Sequence, residues 1–282
     1  MRNKYIQETV FWIFRISTLL VLGILAAILI HIFQNGLEVI SWEFLTTPPT
    51  DGMTGGGIFP AIVGTFYLIV GSLFFAIPIG VCAGIYMNEY AENGISKKII
   101  TLMTDNLAGI PSIVFGLFGM ALFVNFFKFG DSILAGSLTL SLMVLPIIIR
   151  TTEESLKSID DTFRFSSYAL GASKLVTIKK VLLPIAFPNI LTGIVLSVGR
   201  VSGETAPILF TVAAYFLPEL PKSIFDQVMA LPYHLYVLAT SGTEIEKSRP
   251  IAYATAVVLI TIVLFTNLLA NIIRRRYTKR AN

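Results

Sequence analysis

Arg200 and Glu204 stand four residues apart in a stretch that otherwise reads as a membrane-spanning helix. On insertion scales each charge at the bilayer centre costs roughly 2.5–3.5 kcal/mol, so ionisable residues at that depth mark, by default, a route for something polar. Arginine suits one class of cargo in particular. Its planar fork of donors stays charged and matches an oxyanion bidentately. Glu204, one helical turn on, can neutralise Arg200 while no cargo is present. Read as one continuous helix, the segment puts Ser197, Arg200, Glu204 and Thr211 on a single stripe, and these four are expected to line the path. The competing reading is a buried ion pair that only fixes helix register, a device near break-even for stability against apolar replacements. A third reading makes Glu204 a proton relay.

A second cluster lies in residues 160–184. Asp160 and Asp161 suit the start of a short helix, and Gly171 permits a sharp turn. A segment mixing Lys174, Lys179 and Lys180 with Leu175, Val176, Ile178 and Val181 then runs to Pro184. On composition alone this is equally a surface helix under the headgroups, its lysines turned to anionic lipid. The spacing of Gly171 from Val181, Leu183 and Pro184 resembles the cytoplasmic loop signature of binding-protein-dependent ABC importer permeases, and residues 169–173 (Ala-Leu-Gly-Ala-Ser) are typical of that family. Where the family carries Glu-Ala-Ala, this chain has Phe165, Ser166 and Ser167. The resemblance implies that the loop docks on a separate ATP-binding subunit, with Ala169, Gly171, Ala172, Ser173, Val181, Leu183 and Pro184 as coupling residues. The chain has no G-x-x-x-x-G-K-[ST] segment. ATP is therefore expected on a partner polypeptide, with no catalytic residue, cofactor or metal here.

These residues need a scaffold suited to lipid. Apolar types make up 55% of the 282 residues and charged types 13%, with mean hydropathy +0.78; soluble domains carry about a quarter charged residues. Crossing the hydrocarbon takes about 20 apolar residues, and six spans are expected at residues 10–33, 58–88, 107–128, 132–150, 185–216 and 251–273. The fold class is an all-α integral membrane protein. The first span reads as an uncleaved anchor, with Arg15 inside its start and no cleavage site after it. With the N-terminus in the cytoplasm, only Lys128, Lys222, Lys247 and Arg249 fall outside; Arg200 is in the membrane and every other Lys and Arg is inside. That asymmetry puts both termini in the cytoplasm.

Residues 1–57 read as an added helix and outer loop, 58–276 as the permease core and 277–282 as a basic tail. The Pro- and Gly-rich run at 46–57 suggests an exposed, irregular connection, and residues 224–238 lie against the membrane surface or partly re-enter. Pro111 and Pro146 are expected to kink spans three and four. His234, beside Tyr233 and Tyr236, reads as interfacial packing rather than a metal ligand. A net charge of +4 spread along span flanks argues against nucleic acid, and the single Cys82 supplies neither disulfide nor metal motif. No clustered His, paired carboxylates or nucleophile–base set supports a membrane enzyme.

Residues 199–211 (GRVSGETAPILFT) resemble the fifth span of phosphate ABC permeases of the PstA type, as do residues 55–65 (GGGIFPAIVGT), 109–119 (GIPSIVFGLFG) and 230–236 (ALPYHLY). The resemblance covers nearly the whole chain. It implies the architecture of an ABC importer type I permease and a place in the bacterial cytoplasmic membrane. It further implies a heterodimer with a sister permease of the PstC type, two copies of a cytoplasmic ATP-binding subunit and an extracytoplasmic phosphate-binding protein. Arg200 and Glu204 match charged family positions implicated in phosphate passage. The expected function is a permease subunit forming half of an ATP-driven phosphate pathway. Another tetrahedral oxyanion, or a proton-coupled anion carrier, remains an alternative.

Overall fold

Long apolar runs in lipid find no water to bond, so their backbones close hydrogen bonds internally as helices. The computed structural model describes residues 2–92, 94–241 and 245–281 and is almost all helix. α1 (Arg2–Gly36) leads into the short α2 (Trp42–Thr46) and a small hairpin, β1 (Pro49–Thr50) antiparallel to β2 (Gly55–Gly56). α3 (Phe59–Ile85) runs on through a π-helical turn (Tyr86–Tyr90), and α4 (Ile95–Gly109) meets α5 (Ser112–Gly119), itself extended by a π turn (Met120–Phe126). α6 (Ile133–Lys157), α7 (Asp161–Ala169) and α8 (Lys174–Thr177) follow. A π turn (Ile178–Leu182) joins α8 to α9 (Leu183–Gly203); then come α10 (Ala206–Leu209), α11 (Leu231–Thr240) and α12 (Ile245–Ala281). Five helical runs are long and apolar enough to cross a membrane, or six if the bent α4–α5 pair is one span. The chain is a multi-pass membrane protein.

Several expectations change. Span three is not a kinked helix but two helices meeting at 105°. Ile110, forced from helical geometry by the following proline, takes φ −73 and ψ 133, whereas α6 runs unbroken through Pro146. Span five stops at Gly203 rather than near 216. Glu204 is extended (φ −78, ψ 131), Pro207 restarts a single turn, and the chain then leaves the helix. The outer connection is folded, because Phe44, Met53 and Ile58 bury themselves with Leu231, Val237 and Val258. Of the two placements expected for residues 224–238, the partly re-entrant one agrees with the burial of residues 228–231 and His234 and with the packing of α11 on α3 and α12, while Ile224 and Phe225 stay exposed. Of the basic tail, residues 277–281 continue α12, and Asn282 lies outside the described residues.

α3 and α6 form the central pair. A Cβ on Gly84 would meet the Thr152 side chain at 2.5 Å, and one on Gly80 would meet Ile148 at 2.7 Å, so glycine lets these backbones close up. Around them the middle of the bundle packs Leu68, Met143, Ile148, Val201, Ile208 and Val212. Toward the loop at residues 158–173, Leu156 and Ile159 pack with Ile178, Leu182, Ala186 and Ile190. α1 touches this body near its end, where Gly36 lies against Tyr253 and Val257 and His31 Nε2 is 3.2 Å from the Tyr253 hydroxyl.

Candidate translocation site and coupling loop

The break after Gly203 places the charge pair. Non-helical backbone at membrane depth is tolerated where protein supplies the lost hydrogen bonds, and here α6 supplies them. The N–H groups of Ser132, Ile133 and Leu134 donate to the carbonyls of Thr211, Asp226 and Ile224. Ala214 N–H donates to Val228 O, and Val228 N–H to Val212 O. α11 is anchored similarly, its Leu231 N–H donating to Thr65 Oγ1 at 2.8 Å. α10 rests on α5, where any side chain at Gly116 would press on Ala206 O and Pro207.

The four expected path residues do not share one helical stripe, because the helix ends before Glu204. Arg200 and Glu204 still meet, Nε to Oε1 at 3.6 Å, with side chains 36% and 18% exposed. That separation is an ion pair without a hydrogen bond, and Arg200 makes no hydrogen bond among the described residues, its Nε being buried and unsatisfied. Ser197 and Thr211 sit fully buried instead, their hydroxyls donating to Gly193 O and Pro207 O. One residue was missed from the sequence. Asn267 on α12 faces Gly199, next to Arg200, and its Oδ1 is buried without a partner. An asparagine inside the apolar run 251–273 was the available signal.

The other bundle arginines differ. Arg150 Nε donates to Asp105 at 2.9 Å, and its Nη groups reach Glu153 at 2.8 Å and Thr101 O at 3.3 Å, tying α4 to α6. Arg164 reaches Glu89 at 2.7 Å, Asp161 at 3.1 Å, and the carbonyls of Leu156 and Ile159. Burial alone would lower the Arg164 pKa, but Glu89 and Asp161 raise it overall. α7 is thereby fastened to α3 and α6.

Local rules build the rest of the loop. Asp160 caps α7, accepting from Thr162 N–H at 2.8 Å; bonds from the Thr162 hydroxyl and N–H hold its carboxyl below the usual value. Gly171 takes φ +78, with its N–H on Tyr168 O and Ala172 N–H on Ser167 O, the Schellman pattern that ends a helix on glycine. Ala169 closes α7, Ala172 is half-buried, and Ser173 precedes α8. Ser167 and Thr177 share a buried hydroxyl hydrogen bond of 2.8 Å that pins α7 to α8. Phe163, Phe165, Tyr168 and Leu170 remain exposed, Leu170 by 89%. Val181, Leu183 and Pro184 belong to the continuous helix entering α9 rather than to the turn. His234 is buried at 2% exposure with both ring nitrogens unpartnered, not interfacial.

The bundle has a bent third span, a broken fifth span and an anchored loop beyond its end, and the sequence comparisons give its class, the membrane subunit of an ABC importer. Residues 76–279 match the family of binding-protein-dependent transport system inner membrane components, and the chain belongs to that family. A probable ABC transporter permease protein, YqgI of Bacillus subtilis, is 34% identical over 96% of this chain and 95% of its own length. The phosphate transport system permease protein PstA of Mycobacterium leprae is 37% identical over 80% of this chain and 73% of its own. PstA of Yersinia pestis is 34% identical over 85% and 79%. Among solved structures, a bacterial alginate ABC transporter in complex with an alginate pentasaccharide-bound periplasmic protein aligns at TM-score 0.72 and 16% identity, covering 96% of this chain and 95% of that one. The inward-facing MetNI methionine ABC transporter aligns at 0.61, covering 78% and 97%. At such identities these two speak for the fold alone.

Proposed function

We propose that this chain forms half of the membrane pathway of an ATP-driven phosphate importer in a bacterial cytoplasmic membrane. The carrying observation is Arg200, a guanidinium at membrane depth with all its hydrogen-bonding capacity uncommitted, held by a carboxylate across 3.6 Å. An arriving oxyanion gains charge-assisted bonds there without first breaking any. The relatives named for phosphate transport favour phosphate as that oxyanion. Both termini lie in the cytoplasm on this reading, by the Lys and Arg asymmetry.

The partners are a sister permease, two ATP-binding subunits and an extracytoplasmic phosphate-binding protein. The ATP-binding subunit meets the exposed apolar patch of α7 around Phe165 and Leu170, and the α8–α9 run carries its movement to Arg200. Uptake of radiolabelled phosphate by the assembled transporter tests the proposal. Removing a charge-assisted interaction of about 1.5–3 kcal/mol predicts that Arg200→Ala lowers uptake on the order of 10- to 100-fold while the subunits still co-purify. Unchanged uptake would remove Arg200 from the path.

A further inference from the structure

The bundle face between α3 and α9 carries a groove that the pathway does not use. Two contiguous hollows of about 470 and 610 Å³ share Cys82, Lys179 and Leu183, and together they run from Tyr90 to Ile194. From Lys179 to Ile194 the groove follows the helix for roughly 20 Å at about 1.5 Å per residue. One leaflet's hydrocarbon is about 15 Å deep, half of the core, so the groove is long enough for an acyl chain. Its walls are apolar along this length.

The polar groups gather at one end. Lys179 lines both hollows, is exposed, and has no ion-pair or hydrogen-bond partner among the described residues. Lys174 lies over the ring of Tyr90, which lines the same end of the groove, at 4.6 Å. Glu89, in the turn that carries Tyr86 and Tyr90, does not line the groove and is bound to Arg164 at 2.7 Å. Both walls are π-helical at this end, Tyr86–Tyr90 facing Ile178–Leu182, and such turns occur frequently at functional sites.

We propose that the groove is a binding site for an anionic glycerophospholipid. One acyl chain lies along Pro78 and Pro184 toward Ile194, and Lys179 binds the phosphate with Lys174 adding positive field. Charge complementarity selects this occupant: a zwitterionic lipid brings its own cation to a place that already holds Lys179 and Lys174.

Cys82, exposed in the groove, supplies the probe. In the assembled transporter, with the other subunits' cysteines replaced, bimane on Cys82 is reconstituted in phosphatidylcholine. Equal minor fractions of brominated-chain phosphatidylglycerol or brominated-chain phosphatidylcholine are then added. Phosphatidylglycerol is expected to quench at least fivefold more strongly, Lys179→Arg to keep the preference and Lys179→Glu to abolish it. Equal quenching by the two lipids in the wild type overturns the proposal, leaving ordinary lipid contact. Quenching by neither also overturns it, assigning the groove to a protein neighbour. Because the label itself enters the groove, native mass spectrometry of unlabelled wild-type and Lys179→Glu complexes gives a second measure, and equal retention of phosphatidylglycerol overturns the proposal too.

Discussion

Arg150 and Arg164 commit their donors to carboxylates and carbonyls of neighbouring helices, whereas Arg200 makes no hydrogen bond among the described residues. An arginine so saturated acts as a bracket, and removing it leaves buried acceptors unpaired. Arg200 can exchange partners, because its single ion pair is loose and half open. Glu204 then has a definable role. As a neutralising partner it holds the guanidinium when no anion is present, and Glu204→Gln should change the rate of uptake while leaving the shape of its pH profile intact. A proton relay predicts a displaced profile, so uptake measured from about pH 5.5 to about pH 8 in the wild type and in Glu204→Gln separates the two. The pairing of Arg200 with Glu204 was legible at i, i+4, but the looseness was not. It arises because Glu204 lies just past the helix end, and a four-residue spacing says nothing about whether the helix survives between its members.

Elements show the same division between local and distant causes. The Gly171 turn was readable because only local chemistry decides it: a glycine with φ +78 at the end of a short helix. Gly171→Val should therefore cost about 1–2 kcal/mol in the turn and tilt α8, lowering co-purification of the ATP-binding subunit or phosphate-stimulated hydrolysis several-fold. Gly171→Asn, which tolerates that backbone, should behave almost as wild type. Asp160 carries a pH-dependent counterpart. Its folded carboxyl is held below the ordinary 3.8, so the cap is fully present above that value and is lost as pH falls through the lower folded one. Amide exchange at Thr162 should accelerate over that acid range in the wild type, and in Asp160→Asn the acceleration should vanish. The breaks were harder to read. Pro78, Pro146 and Pro188 lie within unbroken helices, while Ile110-Pro111 and the stretch before Pro207 open. What distinguishes the second break is distant: Gly116 on α5 leaves room for the α10 turn, and the N-terminus of α6 bonds the carbonyls that follow it. Hydropathy sums transfer energies along a chain and carries no record of such partners.

At the scale of the molecule, tight and loose packing divide the chain by task. The α3–α6 pair approaches closely through Gly80 and Gly84, with Gly193 of α9 set equally close against Thr151, so three spans make one stiff block from the α7–α8 loop to the charge pair. α1 differs: none of its most apolar stretch within Gln7–Gly36 is buried, and it joins α12 near one end. A stiff block transmits displacement and a loosely attached helix does not, so a change in volume should be felt in one place and tolerated in the other. Gly84→Leu drives a side chain into Thr152 and the Ile149 carbonyl, an overpacking of about 1–3 kcal/mol. For a chain of this size that corresponds to a fall on the order of 5 °C in the melting temperature of the detergent-solubilised complex. Gly23→Leu on α1, where a Cβ would meet nothing within 4 Å, should leave melting within about 1 °C of wild type, since surface substitutions usually change stability by under about 0.5 kcal/mol. Equal losses in the two variants would mean that α1 is as firmly packed as the central pair, and the division of the molecule into a transmitting block and a peripheral helix would fail.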